Sequence, residues 1–140
     1  MTIHLNPYLG FRGNAREAME FYHSVFGGEL AINTFAEFQA SQDPVEDNLI
    51  MHAQLTVEGG LVLMGSDTPP RMEYNPGTNI SVSLSGENSD ETTLTGYWNK
   101  LIEGGQVTQP LTKAQWGDQF GMCIDKFGIV WLLNIAAPVV

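Results

Sequence analysis

Apolar and polar positions along the chain fall into two rounds of the same order. Ala18, Phe21, Tyr22, Val25 and Phe26 recur at steps of three and four, the stripe of an amphipathic helix. Asn14 and Glu17 precede it with the spacing of a capping box, and Gly27-Gly28 ends it, because glycine enters the left-handed region without steric cost. A second helix is predicted by Leu94, Tyr97, Trp98, Leu101 and Ile102, framed by Asn88 and Glu91 and stopped by Gly104-Gly105. Gly96 inside it costs about 1 kcal/mol relative to alanine.

Around these helices the period drops to two. From Ile50 to Glu58, Met51, Ala53, Leu55 and Val57 take one face and Ile50, His52, Gln54 and Thr56 the other. Gly59-Gly60 turns this run into Leu61–Met64, a hairpin. Thr78 to Ser85 alternates too, with Ile80, Val82 and Leu84 opposite Asn79, Ser81 and Ser83. Phe120–Asp125 and Ile129–Ile135 flank Lys126-Phe127-Gly128 as another hairpin. Each half reads strand, helix, Gly-Gly, strand, hairpin, which predicts an α+β fold of two tandem βαβββ modules. The modules run over about 1–66 and 78–140 of one 1–140 domain, joined by a Pro-rich connector at 67–77. With one helix per sheet, each sheet keeps an open side, and the open sides are expected to form a cup.

Composition narrows the function classes. Six Lys+Arg against sixteen Asp+Glu give a net charge of −10, which repels phosphate backbones and anionic lipid heads. No nucleic-acid or membrane partner is therefore expected. The lone cysteine, Cys123, excludes an intramolecular disulfide, and no Cys/His spacing reads as a zinc site. No basic start followed by an apolar run opens the chain, and nothing approaches the roughly 18 apolar residues of a membrane span. A cytoplasmic, acidic, soluble protein is expected.

Specific residues now carry a resemblance. Pro7-Tyr8-Leu9-Gly10-Phe11, Ala18-Met19-Glu20-Phe21-Tyr22, Val25-Phe26-Gly27-Gly28, His52-Ala53, Gly65-Ser66-Asp67, Trp116 to Gly121 and Asp125 to Trp131 resemble the PhnB-like branch of the vicinal oxygen chelate superfamily. That superfamily includes glyoxalase I, bleomycin-resistance proteins and extradiol dioxygenases. The resemblance implies paired βαβββ modules in a cupped mixed sheet and a homodimer. It also implies four positions where metal-dependent members carry His or Glu. Here these fall at Pro7, Leu63 or Met64, Asn79 and Leu132, a set without the donors a hard divalent cation takes. No metal and no other cofactor is expected.

The expected site holds an unidentified small molecule, with Tyr8, His52, Gln54, Asn79 and Trp116 as ligand-binding residues and no catalytic residue assigned. The resemblance turns the His52 face toward the cup, where an imidazole orients a ligand or moves a proton. A structural histidine bonded to a neighbouring strand is the competing reading. The aromatic rings Tyr8, Phe35, Phe38, Trp116 and Trp131 either wall the pocket or fill the core. Two further functional readings stay open: a lyase, isomerase or dioxygenase-type enzyme with a displaced metal on His52, and an interaction protein whose cup is filled by its own side chains.

Overall fold

The computed structural model describes residues 3–39 and 41–139. The chain divides into two compact units, Met1–Pro76 and Gly77–Val140. In the first, β1 (Tyr8–Phe11), α1 (Ala15–Phe26), β2 (Glu29–Thr34), β3 (Ile50–Val57) and β4 (Leu61–Asp67) build a four-stranded sheet in the order β1-β4-β3-β2. In the second, β5 (Val82–Gly86), α2 (Glu91–Leu101), β6 (Gln106–Lys113), β7 (Gln119–Ile124) and β8 (Val130–Ile135) repeat that order as β5-β8-β7-β6. Each sheet is mixed, with β1 parallel to β4 and β5 parallel to β8. The expected pair of βαβββ modules is the observed architecture.

Each helix covers one face of its own sheet. Ala18, Phe21, Tyr22, Val25 and Phe26 are buried in α1, as are Leu9, Phe11, Ala53, Leu55 and Leu63 of the strands. In the second unit the buried set is Leu94, Trp98 and Leu101 with Leu84, Cys123, Trp131, Leu133 and Ile135. Side chains of alternate parity on the same strands lie on the sheet face away from the helix.

The register shows how closely the modules correspond. Gly65 pairs with Leu9 and Ala53, and Leu133 pairs with Leu84 and Gly121. Beyond the strands, Thr68 donates to the Phe11 carbonyl and Ala136 to the Gly86 carbonyl. The glycines after the helices agree, because a Cβ on Gly28 would overlap the Thr56 carbonyl oxygen and one on Gly105 that of Ile124. All three relations set Thr56 equivalent to Ile124, His52 to Phe120 and Asp67 to Ile135.

Four local expectations are corrected. Asn14 precedes α1, but its side chain makes no capping bond. Asp67, from the end of β4, takes that role: Oδ1 accepts from Gly13 N (2.8 Å) and Ala15 N (3.0 Å), while Oδ2 accepts from Ile50 N (2.9 Å). The capping box of the second helix lies one residue earlier than Asn88 and Glu91. It is formed by Glu87 and Asp90 and caps the 3-10 turn over Asn88–Asp90 that leads into α2, whose own N-cap side chain makes no bond. Ile50 is buried and not on the His52 face, since Thr34 pairs with Ile50 and Asn33 with His52, leaving Met51 as a bulge that flips the parity. The fourth correction concerns Asn79. β5 starts only at Val82, opposite Trp131, since β8 offers no partner before Val130; Asn79 therefore sits in the approach to the strand and Ile80 is exposed.

The connector is part of the first unit. The Arg12 guanidinium donates to the Met72 carbonyl and lies 5.2 Å from the centre of the Tyr74 ring. Tyr74 hydroxyl donates to the Gly10 carbonyl at 3.4 Å, and Arg71 pairs with the buried Glu46 at 3.2 Å.

Candidate functional site

On the first unit's open sheet face the bulge at Met51 leaves His52, Gln54 and Thr56 aligned on one side of β3, with Glu29, Ala31 and Asn33 opposite them on β2. These residues line a groove of about 410 Å³, within the size range of small-molecule sites. Tyr8, at the start of β1, reaches across the sheet. Its hydroxyl lies 3.0 Å from His52 Nδ1, with the two rings 5.5 Å apart. The bond fixes the imidazole plane. When Tyr8 donates to Nδ1, Nε2 carries a proton for a ligand acceptor; when Nδ1–H donates to Tyr8, Nε2 accepts. Gln54 Nε2 donates to Thr56 Oγ1 at 3.3 Å, so the Gln54 carbonyl oxygen remains as an acceptor.

Three of the five expected ligand contacts, Tyr8, His52 and Gln54, thus share one face. Asn79 and Trp116 belong to the second unit. Trp116 stands in the turn between β6 and β7, 63% exposed, with its ring edge-on to Phe120 at 5.6 Å. Of the other aromatics, Phe35 and Trp131 are core and Phe38 is exposed. The indole N–H of Trp131 donates to the buried Asp125 carboxylate at 2.8 Å, which satisfies it in place. Residue spacing did not point to Asn33 or Glu29; only the pairing of β2 with β3 brings them to His52.

Three other polar side chains, His23, Cys123 and Asp118, have local surroundings that account for them. His23 Nε2 lies 3.0 Å from the Gly28 carbonyl on the surface. Burial pushes the Cys123 thiol up to about 11, and the Asp125 charge adds to it, so this cysteine is a poor nucleophile. Asn134 Nδ2 and then Ala137 N donate to Asp118 and hold its carboxyl below the usual value.

The family model for 3-demethylubiquinone-9 3-methyltransferase matches residues 4–134. The chain belongs to this family. Protein PA1353 of Pseudomonas aeruginosa is 36% identical, with a TM-score of 0.80 over 98% of this chain and 100% of that one. A PhnB protein of Bacillus cereus carrying the same family description is 26% identical, with a TM-score of 0.73 over 96% and 100%. Protein YjdN of Escherichia coli K12 is 27% identical over 94% of both chains. In fold alone the likeness extends to a glyoxalase/bleomycin resistance/dioxygenase domain from Frankia sp. EAN1pec, at 14% identity and a TM-score of 0.65. The chain is PhnB-like and shares the fold of the glyoxalase/bleomycin resistance/dioxygenase superfamily.

The superfamily's metal can be tested against the donors of this PhnB-like chain. In the first sheet Met64 pairs with Tyr8 and donates its N–H to the Pro7 carbonyl; in the second, Leu132 pairs with Ser83. Ser83, and not Asn79, lies opposite Leu132, and it corresponds to Tyr8. A thioether, a phenol, a serine hydroxyl and leucine are not the carboxylate and imidazole set that such an ion takes. Among the described residues no group of three His, Cys, Asp or Glu side chains is placed to hold a metal. The residues do not fit the group. None of the described helices is long and apolar enough to cross a membrane.

Proposed function

We propose that this PhnB-like protein binds a small polar molecule on the open face of its first sheet, without the superfamily's divalent ion. The Tyr8–His52 hydrogen bond carries this reading. It fixes a ring with one free nitrogen beside a groove that the neutral donors and acceptors Asn33, Gln54 and Thr56 line together with the Glu29 carboxylate. A purely structural histidine is better served by backbone partners inside the sheet than by an exposed phenol across it. Hydrogen-bonding groups held on strands discriminate ligands by the cost of leaving them unpaired.

The test is protein-observed NMR against a panel of polar metabolites, with elemental analysis of protein purified without chelator. Hits are expected to shift Asn33, His52, Gln54 and Thr56 and to vanish in a folded His52→Ala variant. Hits that persist in that variant overturn the role of His52. Stoichiometric metal overturns the metal-free part and favours an enzyme with a displaced metal site.

A further inference from the structure

A second groove, of about 720 Å³, lies in the other unit and takes no part in the site above. It opens where β8 ends and α2 begins, beside the turn between β6 and β7. Its composition is unlike that of the first groove. Ala136, Ala137 and Pro138 supply an apolar wall, while Glu91 and Lys113 bring one charge of each sign. Asn88 and Gln119 add side-chain amides.

The groove marks a place where the two modules diverge. In the first unit Asp67 closes the corner between strand end and helix start with three hydrogen bonds. Its equivalent in the second unit is Ile135, which has no polar reach, and there Glu87 and Asp90 cap only the 3-10 turn that leads into α2. The wall is nevertheless fixed, because Asp118 accepts from Ala137 N at 2.9 Å and from Asn134 Nδ2 at 3.1 Å. Gln119 Nε2 donates to Glu91 and thereby orients its carboxylate. Lys113 has no ion-pair partner among the described residues, and long unpaired ammonium groups are readily recruited by a ligand carboxylate.

We propose that this groove is a binding site for a zwitterion with an apolar body, the chemistry of an apolar amino acid or short peptide. The ligand ammonium faces Glu91, its carboxylate faces Lys113, and its side chains cover Ala136–Pro138. A simple anion meets the Glu91 charge and a simple cation the Lys113 charge, so a ligand carrying both signs suits the pair best. Trp116 adjoins the lining residue Gly117 and is exposed, which makes it a fluorescent reporter.

The experiment is a fluorescence and calorimetric titration of the full chain with L-leucyl-L-leucine, its N-acetyl form, its C-terminal amide and free L-leucine. The unmodified dipeptide is expected to saturate, and each single-charge form to bind about tenfold more weakly, the loss of one charge-assisted contact. Lys113→Gln removes the advantage over the amide, and Glu91→Gln the advantage over the acetylated form. Both side chains are exposed, so the variants keep their fold, which circular dichroism checks. Stronger binding of L-leucine than of the dipeptide assigns the site to free amino acids. His52→Ala leaves all of this unchanged, which separates this groove from the first. No saturable binding at millimolar dipeptide, equal binding of all forms, or indifference to both charge variants overturns the proposal.

Discussion

Replacing Asp67 tests whether one carboxylate organises the first unit. The side chain is 5% exposed and accepts three backbone hydrogen bonds from two separate stretches of chain: two from the turn into α1, at Gly13 and Ala15, and one from the start of β3. In Asp67→Ala the Ala15 and Ile50 amides lose their acceptor in a buried setting, and Gly13 loses one in a half-buried setting. A stranded buried donor costs about 1–3 kcal/mol, so the two buried amides alone predict a loss of about 2–6 kcal/mol. Asp67→Asn keeps the shape and one carbonyl oxygen for Gly13 and Ala15, but aims an amide N–H at the Ile50 N–H. One stranded donor and a weaker helix cap predict about 1–3 kcal/mol.

Urea unfolding followed by far-ultraviolet circular dichroism measures both. The three tryptophans, Trp98, Trp116 and Trp131, all lie in the second unit, so their fluorescence reports that unit alone. If the units unfold independently, the dichroism transition gains an early phase while the tryptophan transition stays in place; if they unfold together, both move. A loss below about 1 kcal/mol in Asp67→Ala, or an Asn variant weaker than the Ala variant, refutes the reasoning.

Two further outcomes follow from the second unit. A Cβ at Gly96 meets no atom within 4 Å, so Gly96→Ala should stabilise by about 0.5–1 kcal/mol, whereas Gly105→Ala, driven into the Ile124 carbonyl, should destabilise by more than about 1 kcal/mol. Thermal melts of the pair that shift in the same direction contradict this. For Cys123, the folded thiol titrates near 11 and the unfolded one near its ordinary 9.0, so the neutral thiol favours the folded state. That contribution is complete below pH 9.0 and is lost as pH rises toward about 11, and a chromogenic disulfide should label the thiol at neutral pH only after denaturant is added. Rapid labelling of the native protein would sink the assignment.

Periodicity made the helices and the order of the modules legible, because those features depend on which residues share a face. What it could not show depends on pairing between distant segments. Asp67 reads in the sequence as the end of a hairpin before a Pro-rich stretch, and nothing within a few residues says that it caps a helix 52 positions earlier. Asn14 offered the local cap signal, yet a carboxylate with three donors outcompetes a neutral amide with one. Asn33 and Glu29 were hidden for the same reason, and Asn79 was misplaced because alternation continues past the point where β8 stops offering partners.

The register also explains why a duplicated fold need not have duplicated chemistry. Tyr8, His52, Gln54 and Thr56 on the first open face are replaced at equivalent positions by Ser83, Phe120, Met122 and Ile124 on the second. Positions facing the helices are conserved in kind, Leu9 with Leu84 and Ala53 with Gly121, because each must pack against its helix. Outward positions bear no such constraint, so polar groups could collect on one module and apolar groups on the other without cost to either core. The same freedom sets Asp67 in one module against Ile135 in the other, at the corner that Glu91 and Lys113 flank. The demands of core packing keep the two modules alike, and the freedom of the outward positions and corners makes room for the two proposed sites of different chemistry.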